Sequence, residues 1–105
     1  MKNDSINTPK EGHDFFNKAI EYYETKRYPD ALRYFTYAIN TNENFAFAYF
    51  FRAITKSQLK LDSEDLIQDL TMSCNLGIPD ACIAIKKIRN RQDIREIIIH
   101  TPIIW

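Results

Sequence analysis

The sequence predicts an all-α fold: about five antiparallel helices arranged as helix–turn–helix repeats, followed by a short apolar C-terminal tail. Three observations carry that prediction. Glycine occurs twice and proline four times in 105 residues, too few breakers for a turn-rich β fold. Apolar and aromatic residues recur at helical spacing through most of the chain. A pattern of large and small residues also returns after 34 positions.

Residues 1–7 read as a loose, flexible terminus, and 8–94 as the helical domain. Thr8-Pro9-Lys10-Glu11 is a start signal: Thr as N-cap, Pro at the first helical position and Glu at the third. Phe15, Phe16, Ala19, Ile20, Tyr22 and Tyr23 then fall at helical spacing in the first helix. Tyr28-Pro29-Asp30 turns the chain, and Pro29 opens the second helix, DALRYFTYAIN. Asn40-Thr41-Asn42 ends it, and Asn44 is placed to cap the third, FAFAYFFRAITKSQLK. Leu61-Asp62-Ser63 is the next break. Ser63 can cap the fourth helix, and Glu64 and Asp65 suit the positive end of its dipole. Gly77 stops that helix and Pro79 opens a fifth, with Ala81, Ala84, Ile85 and Ile88 on one face.

The period is visible residue by residue. Phe15 and Tyr49, Phe16 and Phe50, Ala19 and Ala53, and Ile20 and Ile54 are each 34 apart. Ala31, Leu32, Phe35, Ala38 and Ile39 share their spacing with Leu66, Ile67, Leu70, Ser73 and Cys74 at an offset of 35, one extra residue falling in KLDSED. A repeated helix–turn–helix of this length resembles the tetratricopeptide repeat family. The first unit, about 12–44, carries the pattern in Phe15, Ala19, Tyr22, Tyr28, Ala31, Phe35 and Ala38. The second, about 46–77, keeps Tyr49 and Ala53. It has Lys56 where an aromatic is usual, and Leu66 and Ser73 in place of two alanines. Glu43 stands at the usual proline. Residues of about 79–94 look like a capping helix. The resemblance implies a scaffold whose stacked first helices line a groove that holds a peptide or helix of a partner protein.

FAFAYFF places five aromatics in seven residues, which at about 100° per residue cannot share one face. Phe45, Tyr49 and Ala53 form one stripe; Phe47, Phe50, Phe51 and Ile54 form another, nearly opposite. The first stripe matches the packing face of the resembled family. The second matches its groove-lining face, together with His13, Phe16, Asn17, Ile20 and Tyr23 on the first helix. The expected groove is thus aromatic and aliphatic. It lacks the Lys and Asn pattern with which such repeats clamp a C-terminal carboxylate; Asn17 alone would fit. The alternative is that these aromatics are ordinary core, closed over by the fifth helix.

The tail, 95–105, carries Ile97, Ile98, Ile99, Ile103, Ile104 and Trp105 as candidate docking residues, with Thr101-Pro102 extended or irregular. Three fates are open to it: folding back on its own chain, swapping into a second copy to give a homodimer, or docking on another protein as a linear segment.

Other functions find less support. Lys+Arg and Asp+Glu are 14 each, so no net charge draws the chain to nucleic acid or an anionic membrane. The basic run 86–95 is the one nucleic-acid-like feature, and it suits a helix C-terminus equally well. His13 and His100 stand alone, and Gly12 and Gly77 cannot make a phosphate loop, so no enzyme, metal site or cofactor is expected. The polar N-terminal stretch and the absence of about 18 consecutive apolar residues argue against a signal peptide and a spanning helix. Cys74 and Cys82 read as small buried hydrophobes in a reducing compartment, which makes the expected location cytoplasmic. A scaffold or adaptor is the leading expectation. A small chaperone-like or immunity-type partner of one cognate protein is the alternative.

Overall fold

A computed structural model describes residues 10–61 and 63–100, with side chains as far as residue 90. It consists of five helices: α1 (Lys10–Glu24), α2 (Tyr28–Thr41), α3 (Ala46–Gln58), α4 (Ser63–Asn75) and α5 (Pro79–His100). Each packs chiefly on the next in sequence, and connections of three or four residues make neighbours antiparallel. The start signal at Thr8-Pro9 and the tail residues Ile103, Ile104 and Trp105 lie outside the described residues. Among the described residues no helix is long and apolar enough to cross a membrane.

Two boundaries differ from expectation. α5 runs to His100, so residues 95–100, assigned above to the tail, are helical. The physical reason is plain: from Asp80 to Thr101 the chain has no glycine or proline to stop a helix. Asn44 does not cap α3. The cap position is Phe45, with no side-chain hydrogen bond, and the turn is closed instead by the Asn44 amide donating to Asn42 Oδ1 at 2.9 Å.

Three helix ends share one device. After α1, α3 and α4 the chain takes a left-handed residue: Lys26 (φ 65°), Lys60 (φ 58°) and Gly77 (φ 106°). In each case the next amide reaches back five residues, Arg27 to Tyr22, Leu61 to Lys56 and Ile78 to Ser73, at 2.8–3.1 Å. That is the hydrogen bond of a Schellman cap, which satisfies an orphan carbonyl and reverses the chain sharply. Lys26 and Lys60 are 34 apart, so the period extends to the turns.

Small residues sit where helices cross. Ala19 and Ala31 are fully buried beside Phe35 between α1 and α2. Ala38 and Ala48 are buried with Ile39, Phe45 and Tyr49 between α2 and α3. Ala53, Leu70 and Ala81 join α3, α4 and α5. Such residues let helix axes approach closely, and the large side chains fill the spaces between crossings. Ser73 holds the position equivalent to Ala38. It is fully buried, and its hydroxyl donates to the Ala46 carbonyl at 3.0 Å, so the polar group is satisfied.

The two repeats solve one packing problem differently. In the first, the Tyr22 and Tyr34 rings meet at a tilt, 5.3 Å between centroids, with Lys18 and Arg27 over the Tyr22 ring. In the second, the equivalent positions hold Arg52, Lys56 and Asp69. Asp69, only 4% exposed, accepts from Arg52 Nε at 2.9 Å and from its Nη2 at 2.8 Å. Lys56 Nζ lies 2.9 Å from Asp69 Oδ2 and 3.1 Å from Asp65 Oδ1, and Arg52 Nη1 donates to Thr36 Oγ1 at 3.1 Å. Burial works against the Arg52 charge, but the hydrogen bonds and attraction of Asp69 outweigh it and raise its pKa. The aromatic expected at position 56 is thus replaced by a buried ionic cluster tying α2, α3 and α4 together.

Removing Asp69 leaves the buried Lys56 and the half-buried Arg52 without their shared partner. Asp69→Ala is expected to lower unfolding stability by about 3 kcal/mol, read from urea midpoints. Asp65→Ala, at a half-exposed site, should cost less than about 1 kcal/mol.

Candidate interaction surface

Helical register places His13, Phe16, Asn17, Ile20 and Tyr23 in one sector of α1, and Phe47, Phe50, Phe51 and Ile54 in the matching sector of α3. Four of these pairs are 34 apart: 13 and 47, 16 and 50, 17 and 51, 20 and 54. The opposite side of α3 is core, with Phe45, Tyr49 and Ala53 all buried. The sector itself remains open to different degrees. Phe47 is 52% exposed. Phe50, Phe51 and Ile54 are half-buried. On α1, His13 and Asn17 are exposed, while Phe16, Ile20 and Tyr23 are half-buried.

The half-buried rings also hold helices together. Phe16 lies 4.9 Å from Phe45, 5.6 Å from Phe35 and 5.9 Å from Phe51, centroid to centroid, and so bridges α1, α2 and α3. Phe51 stacks on Phe35 at 6.1 Å, and Phe50 meets Phe51 edge-on at 5.5 Å. Ile20 and Tyr23 rest on the Ala19–Ala31–Phe35 cluster, and Tyr23 also meets Tyr28 at 5.5 Å. His13 touches the edge of this surface, its ring 5.6 Å from Phe45.

Beyond Phe50 the surface deepens into a cleft of about 250 Å³ between α3 and α5. Phe50, Ala53, Ile54 and Ser57 form one wall, Ala84 and Ile88 of α5 the other, and Leu66 and Leu70 of α4 the floor. Ser57 is the one polar residue among these. Sequence reasoning placed Ala84 and Ile88 on one face of α5 but not on the candidate surface. The signal was present: Phe50 and Ala84, and Ile54 and Ile88, are again 34 apart. Around the back of α5, Lys86, Lys87 and Arg89 are exposed.

Two ionisable groups with shifted pKa values lie away from this surface. Tyr49 is pushed up in pKa by burial. Asp30, at the first turn of α2, is held below the usual carboxylate range chiefly by its hydrogen bond from Arg33, aided by Arg27. Among the described residues no group of three or more His, Cys, Asp or Glu side chains could hold a metal ion.

Cys74 and Cys82 depart from expectation: they form a disulfide, with Cα atoms 4.9 Å apart. The tight Gly77 turn brings the last turn of α4 beside the first turn of α5, which makes this pairing possible. Cys74 packs against the cluster of Ala53, Leu70 and Ala81, so the link pins α5, one wall of the cleft, to α4.

No family model matches the chain, and neither a curated protein nor a solved structure matches it.

Reducing the disulfide, or Cys82→Ser, should lower stability by about 2.5 kcal/mol on the chain-entropy account of a short loop. Hydrogen exchange is expected to rise first in the amides of α5, while those of α1 to α3 keep their protection.

Proposed function

We propose that this chain is a non-enzymatic protein-interaction module, a short helical-repeat scaffold of the tetratricopeptide kind. It holds a peptide or helix of a partner along the aromatic and aliphatic face of α1 and α3 and in the adjoining cleft. One observation carries the reading. Residues 34 apart on α1 and α3 share a sector that the fold leaves partly open, while the opposite side of α3 is fully used in packing. An apolar surface repeated in register and rimmed by His13 and Asn17 has the composition of an interface centre, with aromatic anchors and few charges. The cleft offers no charged group, so the partner contributes apolar side chains to it.

The reading is of an adaptor whose α5 is held on α4 by the Cys74–Cys82 disulfide, a bond that counts against the reducing, cytoplasmic location expected from the sequence. A dedicated partner of a single protein uses the same face and differs only in the number of its ligands. The exposed cations Lys86, Lys87 and Arg89 support a second reading, contact with nucleic acid along α5.

Selection of peptides from a displayed library, followed by titration, tests these readings. The selected peptides should carry spaced large apolar residues. Phe50→Glu should weaken their binding at least about 30-fold, the loss expected of a central anchor, with helicity unchanged. Binding should barely respond to salt. A steep fall between 50 and 200 mM salt, of the kind phosphate contacts give, would favour the α5 cations instead.

A further inference from the structure

We infer that the Cys74–Cys82 bond is a redox control on the docking cleft. With the bond formed, α5 is held as the far wall and a partner peptide binds. With the bond reduced, α5 leaves its seam and affinity falls. The inference rests on reading the α3–α5 cleft as part of the docking face and adds what regulates it.

The described side chains of α5 hold it weakly. α2, α3 and α4 each bury four or more residues, whereas α5 buries Ala81 alone among its described residues. Its seam of Ala81, Ala84, Ile85 and Ile88 is half alanine, so it removes little apolar area from water. Its other side shows Ile83, 49% exposed, with Lys86, Lys87 and Arg89. α4, by contrast, is fixed to α3 by Asp69 with Arg52 and Lys56. A helix with few buried contacts belongs to the part of a fold that opens by itself, at lower cost than global unfolding.

The bond is placed to decide that opening. Leu66, Leu70 and Cys74 are four apart and share one face of α4, and the first two form the cleft floor. On α5, Cys82 stands two residues before Ala84 and six before Ile88, both in the wall. The link therefore joins the floor's row to the wall's helix, close to the Gly77 turn. It presents the wall already in place, so a partner does not have to order α5 on binding. The opposite wall, Phe50 and Ile54, stands on α3, which packs on both α2 and α4 and does not depend on the bond. Reduction thus acts on one wall of the cleft.

The sulfurs are within reach of a reductant. Both cysteines are half-buried, and Asn75 and Gly77 between them are exposed. A thiolate of an added dithiol attacks one sulfur, forms a mixed disulfide and expels the other cysteine as a thiolate, which takes a proton. The second thiol of the reductant then closes a cyclic disulfide and releases the first cysteine. Two electrons and two protons pass from the dithiol to the pair. In the reduced chain only the fraction with α5 in place is competent, and apparent affinity falls in proportion. The chain accordingly holds its partner in an oxidising setting and releases it in a thiol-rich one.

The test titrates peptides selected on the oxidised full chain, with and without dithiothreitol. Reduction should weaken binding about tenfold, within the range usual for coupled sites. Cys74→Ser combined with Cys82→Ser should bind as the reduced chain does and ignore dithiothreitol; if that variant does not fold, the reduced natural chain gives the same reading. Coupling is reciprocal, so saturating peptide should make the bond about tenfold harder to reduce. That is a fall of about 30 mV in its potential against the dithiothreitol couple. A bond that only adds stability moves neither quantity. Equal affinity in the two states, for peptides that still require Phe50, overturns the inference and leaves the docking face standing. Tighter binding after reduction also overturns it, because α5 would then be a cover over the cleft. Peptides indifferent to Phe50→Glu remove the face and this control together.

Discussion

The close approach of helices at small residues is the constraint from which the rest of this structure follows. Ala19 against α2, Ala48 against α2 and Ala53 against α4 leave no room for bulk on the inner sides of α1 and α3. The bulk these helices carry must then lie at the flanks. Some of it, Tyr49, fills the spaces between crossings together with Phe35 of α2. The remainder, Phe16, Phe50, Phe51 and Ile54, is left half-covered on one side. An excess of aromatics on α3 is therefore no accident of composition. It is the outcome of a helix that packs on one side through small residues and carries large ones on the other.

Repetition makes that outcome directional. The same crossing recurs after 34 residues, and the same left-handed cap returns the chain at Lys26 and Lys60. Side chains at equivalent positions are therefore carried to neighbouring places on one surface. The ionic cluster of Arg52, Lys56 and Asp69 shows where the repeats are allowed to differ. It lies away from the open face, at the position where the first repeat packs Tyr22 against Tyr34. A buried ion pair is poor at adding stability but strict about geometry. Here it fixes how α4 sits on α3, and so sets the floor of the cleft.

Much of this is legible in the sequence because helical spacing and a fixed period are local signals. The five helices, the small residues at their crossings and the two stripes of α3 can all be read from spacing alone. What was missed depends on contacts between distant residues or on the lack of a signal. Asp69 joins Arg52 across 17 positions and a turn, and no local rule links them. Lysine is not the residue that marks a left-handed cap, so Lys26 and Lys60 were silent where Gly77 was plain. The cysteine pair hinges on how tightly the chain turns at Gly77, which eight-residue spacing does not reveal. The end of α5 was drawn too early because a run of isoleucines reads as tail as readily as helix. The cleft residues Ala84 and Ile88 were read only as sharing one face of α5, and they serve both as packing and as wall.

The central claim is that α3 has one structural side and one open side. The most direct measurement compares Ala53→Glu with Ile54→Glu by helicity and thermal unfolding in dilute solution. The two residues are adjacent in sequence, and the substitution is the same. The account predicts that Ala53→Glu, a charge driven into the buried cluster with Leu70 of α4 and Ala81 of α5, loses most of the helicity. Ile54→Glu, on the open face, should keep its helicity and melt within a few degrees of the unaltered chain. If Ile54→Glu unfolds the chain as thoroughly as Ala53→Glu, the face is core and the account is contradicted.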